Sequence, residues 1–202
     1  MAFNPVMMVM QPRFIWESLA SLKKNIDIPT AYFRAYSEPQ VIKAMNKFIN
    51  ETSYSHYIVM SDDGTFREHI SIHAATADGL TRIGNCVIML NKAYVAHDCI
   101  IEDGVTLSCG VKIGGNVHVM KDSNLGMGAA IHQYQVIGSW SMIGMGCIVP
   151  KKAIITPGQT WVGNPVKRLK TNMYGLDKFN VDEYDLIEET ARYTQLAKLH
   201  GL

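Results

Sequence analysis

Aliphatic residues recur at every sixth position through the middle of the chain, without a single insertion. They open thirteen consecutive blocks, at Ile83, Met89, Val95, Ile101, Leu107, Ile113, Val119, Leu125, Ile131, Ile137, Ile143, Val149 and Ile155. A small or β-branched residue usually follows four places later, as at Val87, Ala93 and Cys99. This hexapeptide period is typical of a parallel β-helix, in which each block supplies one short strand and one corner. We therefore expect an all-β solenoid.

The period is absent from both ends of the chain. Residues 1–65 show two helix-like stretches, at 15–24 and 39–49, and a strand-like stretch at 57–60, which together predict a small α/β cap. Residues 171–202 are predicted to form a C-terminal helical segment, because helical spacing runs from Asp182 to Leu199.

The β-helix domain is predicted to cover residues 66–170. Phe66 and Ile72 open two further blocks, which implies that residues 78–82 loop out at a corner as an insertion. The pattern stops after Thr160, and residues 161–170 are predicted to leave the solenoid as an exit strand.

Three blocks make one triangular coil, so residues eighteen apart stack on one wall at ordinary strand spacing. This rule places the blocks that begin at Ile72, Val95, Ile113, Ile131 and Val149 together. Their polar and glycine positions form a column that includes four of the seven histidines: His73, His97, Asp98, Gly115, Asn116, His118, His132, Gln133, Lys151 and Lys152. Packing of such walls around a three-fold axis would place this column in a cleft between subunits, where a ligand site is expected.

Composition narrows the classes of partner. The chain has 19 Lys and Arg against 18 Asp and Glu, a formal charge of +1, which offers no footprint for nucleic acid or an anionic membrane. The four cysteines lie within repeats without a C-x-x-C spacing and are expected to be reduced thiols. The apolar first ten residues lack a basic region and are too short to span a bilayer. These features predict a cytoplasmic protein without a membrane span, with small molecules or proteins as partners.

Two motifs carry a family resemblance. Leu80-Thr-Arg-Ile-Gly84 and Asn91-Lys-Ala-Tyr-Val-Ala-His-Asp-Cys99 resemble the active-site coil of the UDP-N-acetylglucosamine acyltransferases of lipid A synthesis. Ala130-Ile-His-Gln-Tyr134 resembles the second histidine motif of that family. The resemblance covers about half the chain. It implies a left-handed parallel β-helix, assembled as a homotrimer with active sites between subunits.

The resemblance also implies roles for individual residues. His97 matches the general base, Asp98 the acid that orients it, and Gly115 the glycine whose N–H stabilises the oxyanion. An imidazole, which titrates near pH 6.5 in model peptides, is suited to taking a proton at neutral pH. Six further residues are candidates for binding the substrates: His73, Tyr94, Asn116, His132, Gln133 and Met145.

Some of these candidates depart from the family pattern. Tyr94 and Asn116 stand where the family usually has histidines. Met145 falls at the position that measures the acyl chain, where a bulky residue implies a short acyl group.

A second resemblance concerns the segment that leaves the solenoid. Pro157-Gly158 and the stretch from Trp161 to Lys170 resemble the closing segment of the coenzyme A-dependent hexapeptide acetyltransferases. Lys167, Arg168 and Lys170 are therefore candidates for binding the phosphates of a coenzyme A or acyl carrier protein donor. A basic strand exposed to solvent, with no ligand, is the alternative.

These observations favour an acyltransferase. It would move a short, acetyl-like group from a phosphopantetheine thioester, carried by coenzyme A or acyl carrier protein, to a UDP-linked amino sugar. No permanently bound cofactor and no metal is expected. One alternative is a shortened solenoid that acts as a non-catalytic scaffold. Another is a zinc-dependent γ-type carbonic anhydrase, but its paired histidines, five residues apart, are absent after His97.

Overall fold

The chain folds as a left-handed parallel β-helix, as the hexapeptide period and the family resemblance predicted. The structure, a computed structural model, describes residues 31–35, 57–61, 63–76 and 80–202. The strands are β1 (Ala31–Ala35), β2 (Tyr57–Ser61), β3 (Thr65–Phe66), β4 (Ser71–Ile72), β5 (Leu80–Ile83), β6 (Ile88–Met89), β7 (Tyr94–Val95), β8 (Ile100–Ile101), β9 (Thr106–Leu107), β10 (Lys112–Ile113), β11 (His118–Val119), β12 (Asn124–Leu125), β13 (Ala130–Ile131), β14 (Val136–Ile137), β15 (Met142–Ile143), β16 (Ile148–Val149), β17 (Gln159–Val162) and β18 (Lys167–Thr171).

Three flat sheets form the walls of the prism. Wall A has the order β1-β2-β5-β8-β11-β14, wall B the order β18-β17-β15-β12-β9-β6-β3, and wall C the order β16-β13-β10-β7-β4. Wall C is the wall that the eighteen-residue rule predicted to carry the histidine column. Its strands pair in parallel, with Lys112 opposite both Tyr94 and Ala130.

The core of the solenoid is a stack of the aliphatic residues that open the blocks. Ile83, Ile101, Leu107, Ile113 and Ile143 are fully buried. Each such side chain removed from water contributes about 1.5 to 3 kcal/mol relative to an exposed one, so the stack holds the coils together. The predicted period is therefore the pattern of the core.

A second feature recurs every six residues, at the corners. From Cys86 to Gly158, one residue in each block has a positive φ, including Asp98 at 59°, Asn116 at 57° and Tyr134 at 61°. Glycine occupies several corners, as at Gly104. At most corners, however, a residue with a side chain adopts the left-handed conformation, which is less favoured for such residues. The tight corners bring the residues beside them into vertical columns.

The N-terminal region contributes two strands to the solenoid. β1 and β2 pair in parallel, and β2 pairs with β5, so both extend wall A. The strand predicted at 57–60 is confirmed, whereas the helices predicted at 15–24 and 39–49 lie outside the described residues. The boundary of the cap at residue 65 stays a prediction.

The start of the solenoid differs in one respect from the prediction. The early coil is confirmed, because β3 pairs with β6 and β4 pairs with β7. The loop predicted at 78–82 is wrong for residues 80–82, because Leu80–Ile83 is strand β5. The residues of β5 alternate between exposed and buried, and the strand pairs along its whole length with β2.

The C-terminal region forms a hairpin and two helices. The single exit strand predicted for 161–170 is wrong: β17 and β18 are antiparallel and flank a turn at Gly163-Asn164-Pro165, residues that favour turns. Helix α1 (Met173–Lys178) and helix α2 (Glu183–Leu199) follow. The long helix was predicted, and Asp182 begins it with a capping box.

Helix α2 lies on wall A. Tyr193, Ala197, Met120 and Val136 form a second buried apolar cluster between them. In the part of the chain that the structure describes, no helix is both long and apolar enough to cross a membrane.

Candidate active site

The candidate site lies at the corner between wall C and wall A. His97 follows β7, Gly115 follows β10, and Gln133 follows β13, so the three residues stack at intervals of eighteen. The corner residues Asp98, Asn116 and Tyr134 lie beside them. The Asn116 N–H donates to the His97 carbonyl at 3.0 Å, and the Tyr134 N–H donates to the Gly115 carbonyl at 3.0 Å.

His97 and Asp98 form a hydrogen-bonded pair. The Nδ1 atom of His97 is 2.7 Å from Oδ2 of Asp98, and the two side chains are 40% and 12% exposed. A carboxylate only accepts hydrogen bonds, so Nδ1 carries the proton and donates it. The lone pair of the neutral imidazole is then on Nε2.

Gly115 lies directly against the His97 ring. A Cβ atom built on Gly115 would lie 2.8 Å from both Cε1 and Nε2 of His97, closer than side chains tolerate. Among the described residues, the Gly115 N–H donates to no other group. A basic nitrogen therefore lies beside a buried backbone N–H that donates to none of the described residues.

The Asp98 carboxylate is held by a residue of the preceding coil. Thr76 donates its N–H to Oδ1 at 2.9 Å and its hydroxyl to Oδ2 at 2.5 Å. The backbone N–H of Asp98 donates to the Thr81 hydroxyl at 2.9 Å. Partial burial raises the pKa of Asp98, but the hydrogen bonds from Thr76 and His97 outweigh it and hold the pKa below its ordinary value.

Four other candidates lie on or beside wall C. The Tyr94 hydroxyl is 3.5 Å from Nδ1 of His73, and their rings meet edge to face with centroids 4.9 Å apart. His132 and Gln133 are exposed, and Nδ1 of His132 donates to the Gln133 carbonyl at 3.0 Å. Nε2 of His132 is thereby left as an acceptor. Together with Asn116, these side chains give the wall a polar, aromatic surface.

The structure corrects the placement of His118. The sequence pattern put it in the wall C column, but it lies in β11 of wall A and is almost fully buried under α2. The block that opens at Ile113 turns the corner before residue 118 and ends in the next strand. His118 is therefore not part of the candidate site.

Other predicted site residues lie elsewhere on the chain. Met145 is 74% exposed at the corner between walls B and C, so wall C separates it from His97. Lys167, Arg168 and Lys170 are exposed on β18, the edge strand of wall B. Arg168 Nε donates to Gln159 Oε1 at 2.8 Å. A single chain does not bring these four residues to His97.

Sequence reasoning missed an ionic cluster under α2. Glu102 of wall A contacts both His118 Nε2 and Arg192, and Arg192 Nη1 also donates to Glu189 at 3.1 Å. Ser139 donates to Glu189 at 2.5 Å. Burial raises the pKa of Glu102, but hydrogen bonds from His118 and Arg192 lower it to about 2. No spacing rule connects residues that lie 90 positions apart, as Glu102 and Arg192 do.

Comparison with known proteins agrees with the motifs. The chain is 29% identical over 132 residues to the acyl-carrier-protein-dependent UDP-N-acetylglucosamine O-acyltransferase of Gloeothece citriformis, covering 65% of this chain and 47% of the relative. The enzyme of the same name from Synechocystis is 28% identical over 131 residues, covering 64% of this chain and 47% of the relative. The chain thus spans about half the length of these curated relatives. No protein-family model matches it.

Solved structures show the same fold. The UDP-N-acetylglucosamine acyltransferase from Bacteroides fragilis aligns with a TM-score of 0.61 and 22% identity, over 81% of this chain and 62% of that one. The enzyme from Campylobacter jejuni aligns with a TM-score of 0.58 and 24% identity, over 70% of this chain and 56% of that one. In its histidine motifs, its sequence and its left-handed β-helix, this chain resembles the UDP-N-acetylglucosamine acyltransferases.

Proposed function

We propose that this protein is an acyltransferase that moves an acyl group from a phosphopantetheine thioester to a nucleotide-linked sugar. The observation that carries the proposal is the site at the corner of walls A and C. There Asp98 fixes the His97 tautomer, Nε2 is directed toward Gly115, and the Gly115 N–H is free to donate. The relatives named above, which are acyltransferases, support the same reaction class.

The arrangement suits direct transfer from donor to acceptor. Nε2 of His97 takes the proton from an acceptor hydroxyl or amine as its oxygen or nitrogen attacks the thioester carbonyl. The carbonyl oxygen becomes an oxyanion, to which the Gly115 N–H donates. As the oxyanion collapses, the C–S bond breaks and the imidazolium returns its proton to the departing thiolate. Asp98 stabilises the positive imidazolium during the step.

The same comparison supports a proposal for the donor and the acceptor. The names of the relatives specify an acyl carrier protein donor and UDP-N-acetylglucosamine. We propose a UDP-linked amino sugar here, bound along wall C by His73, Tyr94, Asn116, His132 and Gln133. Hydroxyl, amide and imidazole groups can pair with sugar hydroxyls, and aromatic faces stack on apolar ring surfaces.

The acyl group and its carrier need residues from more than one corner. In a homotrimer packed around a three-fold axis, the corner of walls B and C from a second copy can meet the His97 corner. We propose that Met145 reaches the acyl chain in this way and restricts it to short groups. Lys167, Arg168 and Lys170 on β18 are proposed to bind phosphates of coenzyme A or of the acyl carrier protein arm.

A thiol-release assay tests the proposed function. Purified protein is incubated with acetyl, butyryl and longer acyl thioesters of coenzyme A and acyl carrier protein, against a panel of UDP- and dTDP-sugars. We expect release of free thiol that depends on the sugar and is fastest for short acyl groups. Reactions without an acceptor are the control. Absence of sugar-dependent release with every pair would contradict the proposal and favour a scaffold.

Substituting Gly115 by alanine tests the contact between Gly115 and His97. The added Cβ atom meets the imidazole ring at 2.8 Å and must displace it. We expect kcat to fall roughly 10- to 100-fold, because small displacements of a reacting group cost about this much. The thermal midpoint should be retained, since Gly115 has a negative φ. The thermal midpoint, measured on the same variant, is the control for a general loss of folding. Unchanged kcat in Gly115→Ala would contradict the close approach.

A further inference from the structure

Thr76 makes two hydrogen bonds to the carboxylate that orients His97. It comes from the coil before β7 and lies 22 residues from Asp98 in the sequence. We propose that Thr76 is a positioning residue: its N–H and hydroxyl fix the plane of the Asp98 carboxylate, which in turn directs Nε2 of His97 toward Gly115. The catalytic consequence rests on the proposed function, whereas the positioning itself does not.

The geometry constrains both carboxylate oxygens. Oδ1 accepts the Thr76 N–H at 2.9 Å, and Oδ2 accepts the Thr76 hydroxyl at 2.5 Å and the His97 ring at 2.7 Å. The terminal torsion of an aspartate side chain has broad minima, so one contact to His97 does not define its plane. Two donors from one residue act as a clamp. Without the hydroxyl, Oδ2 keeps only the imidazole as a partner among these groups.

The backbone of Asp98 is fixed separately. Its N–H donates to the buried Thr81 hydroxyl at 2.9 Å, and its φ of 59° places it at a corner of the solenoid. Thr76 therefore orients the Asp98 side chain, whereas Thr81 binds only the Asp98 backbone. This division allows the side-chain effect to be tested without disturbing the corner.

The same hydrogen bonds favour the ionised form of the Asp98 carboxylate. Three donors to one carboxylate stabilise its ionised form, because each donates to the charged group. An ionised Asp98 keeps the proton of His97 on Nδ1 and leaves Nε2 as the base, which is the orienting role of the acid in catalytic triads. A neutral or rotated carboxyl group would allow the other tautomer, whose Nε2 cannot accept a proton.

Substitution of Thr76 by valine removes the hydroxyl while keeping the shape of the side chain and the backbone N–H. We expect kcat to fall about 10-fold, as for loss of a hydrogen bond to a charged group, with KM within about 2-fold of wild type. Thr76→Ser retains the hydroxyl and should recover most of the activity. Thr76→Ala serves as a second variant if the valine is poorly accommodated. Full activity in both Thr76→Val and Thr76→Ala would overturn the proposal.

A spectroscopic measurement separates this proposal from the proposed function. Carbon-13 NMR of the Asp98 carboxyl and nitrogen-15 NMR of the His97 ring report ionisation and tautomer without any substrate. In Thr76→Val we expect a higher Asp98 pKa and a mixture of His97 tautomers, with wild-type values in Thr76→Ser. Unchanged spectra in Thr76→Val would overturn the positioning role even if the enzyme is active. Changed spectra would support it even if no sugar is acylated.

Discussion

Replacement of His97 by alanine is expected to lower kcat about 1000-fold, with little change in the thermal midpoint. General-base catalysis by a positioned side chain typically contributes roughly 10²- to 10⁴-fold, and the three atoms nearest to a Cβ built on Gly115 all belong to the His97 ring. His97 is 40% exposed and lies outside the aliphatic core, so its loss leaves the stack intact. Thiol release measured at saturating donor and acceptor gives kcat, and circular dichroism gives the midpoint.

Two controls separate a general base from a binding residue. His132→Ala removes another exposed imidazole of the same wall, and we expect it to raise the KM for the sugar more than it lowers kcat. Asp98→Asn keeps the size of the side chain but can donate to the His97 ring, which favours the wrong tautomer, so kcat should fall with KM little changed. Wild-type turnover in His97→Ala would contradict the assigned role, whatever the behaviour of the controls.

The fold was predictable because one repeating physical requirement sets it. Each coil must bury an aliphatic residue on every wall, as Ile83, Met89 and Val95 do on walls A, B and C, and this requirement is visible in the sequence as the six-residue period. The same requirement placed His97, Gly115 and Gln133 in one column. The candidate base and the glycine against it were therefore reached from spacing, and their roles from the family resemblance.

The eighteen-residue rule failed for residues at the ends of blocks and for contacts across an insertion. His118 was placed with His97 because both belong to blocks of one series, although a six-residue block includes the first residue of the following wall. Thr76 was missed because the register between β4 and β7 is shifted by five residues from the usual eighteen. The six-residue period does not predict which side chains meet across that shift.

The contacts between the solenoid and α2 could not be predicted from sequence periodicity. Helical spacing predicted α2, and Asp182 marks its beginning, but the face that meets wall A depends on side chains from distant coils. Glu102 is the clearest case. It looks like a surface residue of a β-helix in the sequence, whereas its side chain is only 14% exposed once the helix has packed.

Substitution of Glu102 by glutamine is the variant for which we expect the largest loss of stability. Breaking one side of a buried ionic cluster typically costs about 3 to 5 kcal/mol, because the remaining charges stay buried. Arg192 is 40% exposed, so solvent screens part of its charge and a loss of about 3 kcal/mol is expected. For a chain of this size that corresponds to a fall in thermal midpoint of roughly 6 to 12 °C at pH 7.

The pH dependence of the same variant shows whether charge is the cause. The pKa of Glu102 is lowered from 4.5 to about 2 in the folded protein, so the folded state binds its proton less tightly than the unfolded state. This group therefore stabilises the protein fully above about pH 4.5, and its contribution is lost as the pH falls toward 2. A shift of this size corresponds to a stabilisation on the order of 3 kcal/mol.

Thermal unfolding measured from pH 7 down to pH 3 tests both statements together. The difference in midpoint between wild type and Glu102→Gln should be largest at neutral pH and should narrow steadily below about pH 4.5, as wild type loses the charge that the variant lacks. Glu188→Gln is the matched control, because Glu188 is an exposed carboxylate of α2, and its midpoint should follow wild type at every pH. A gap that stays constant with pH would mean that Glu102 stabilises the contact with α2 by its shape and hydrogen bonds, and that its charge contributes nothing.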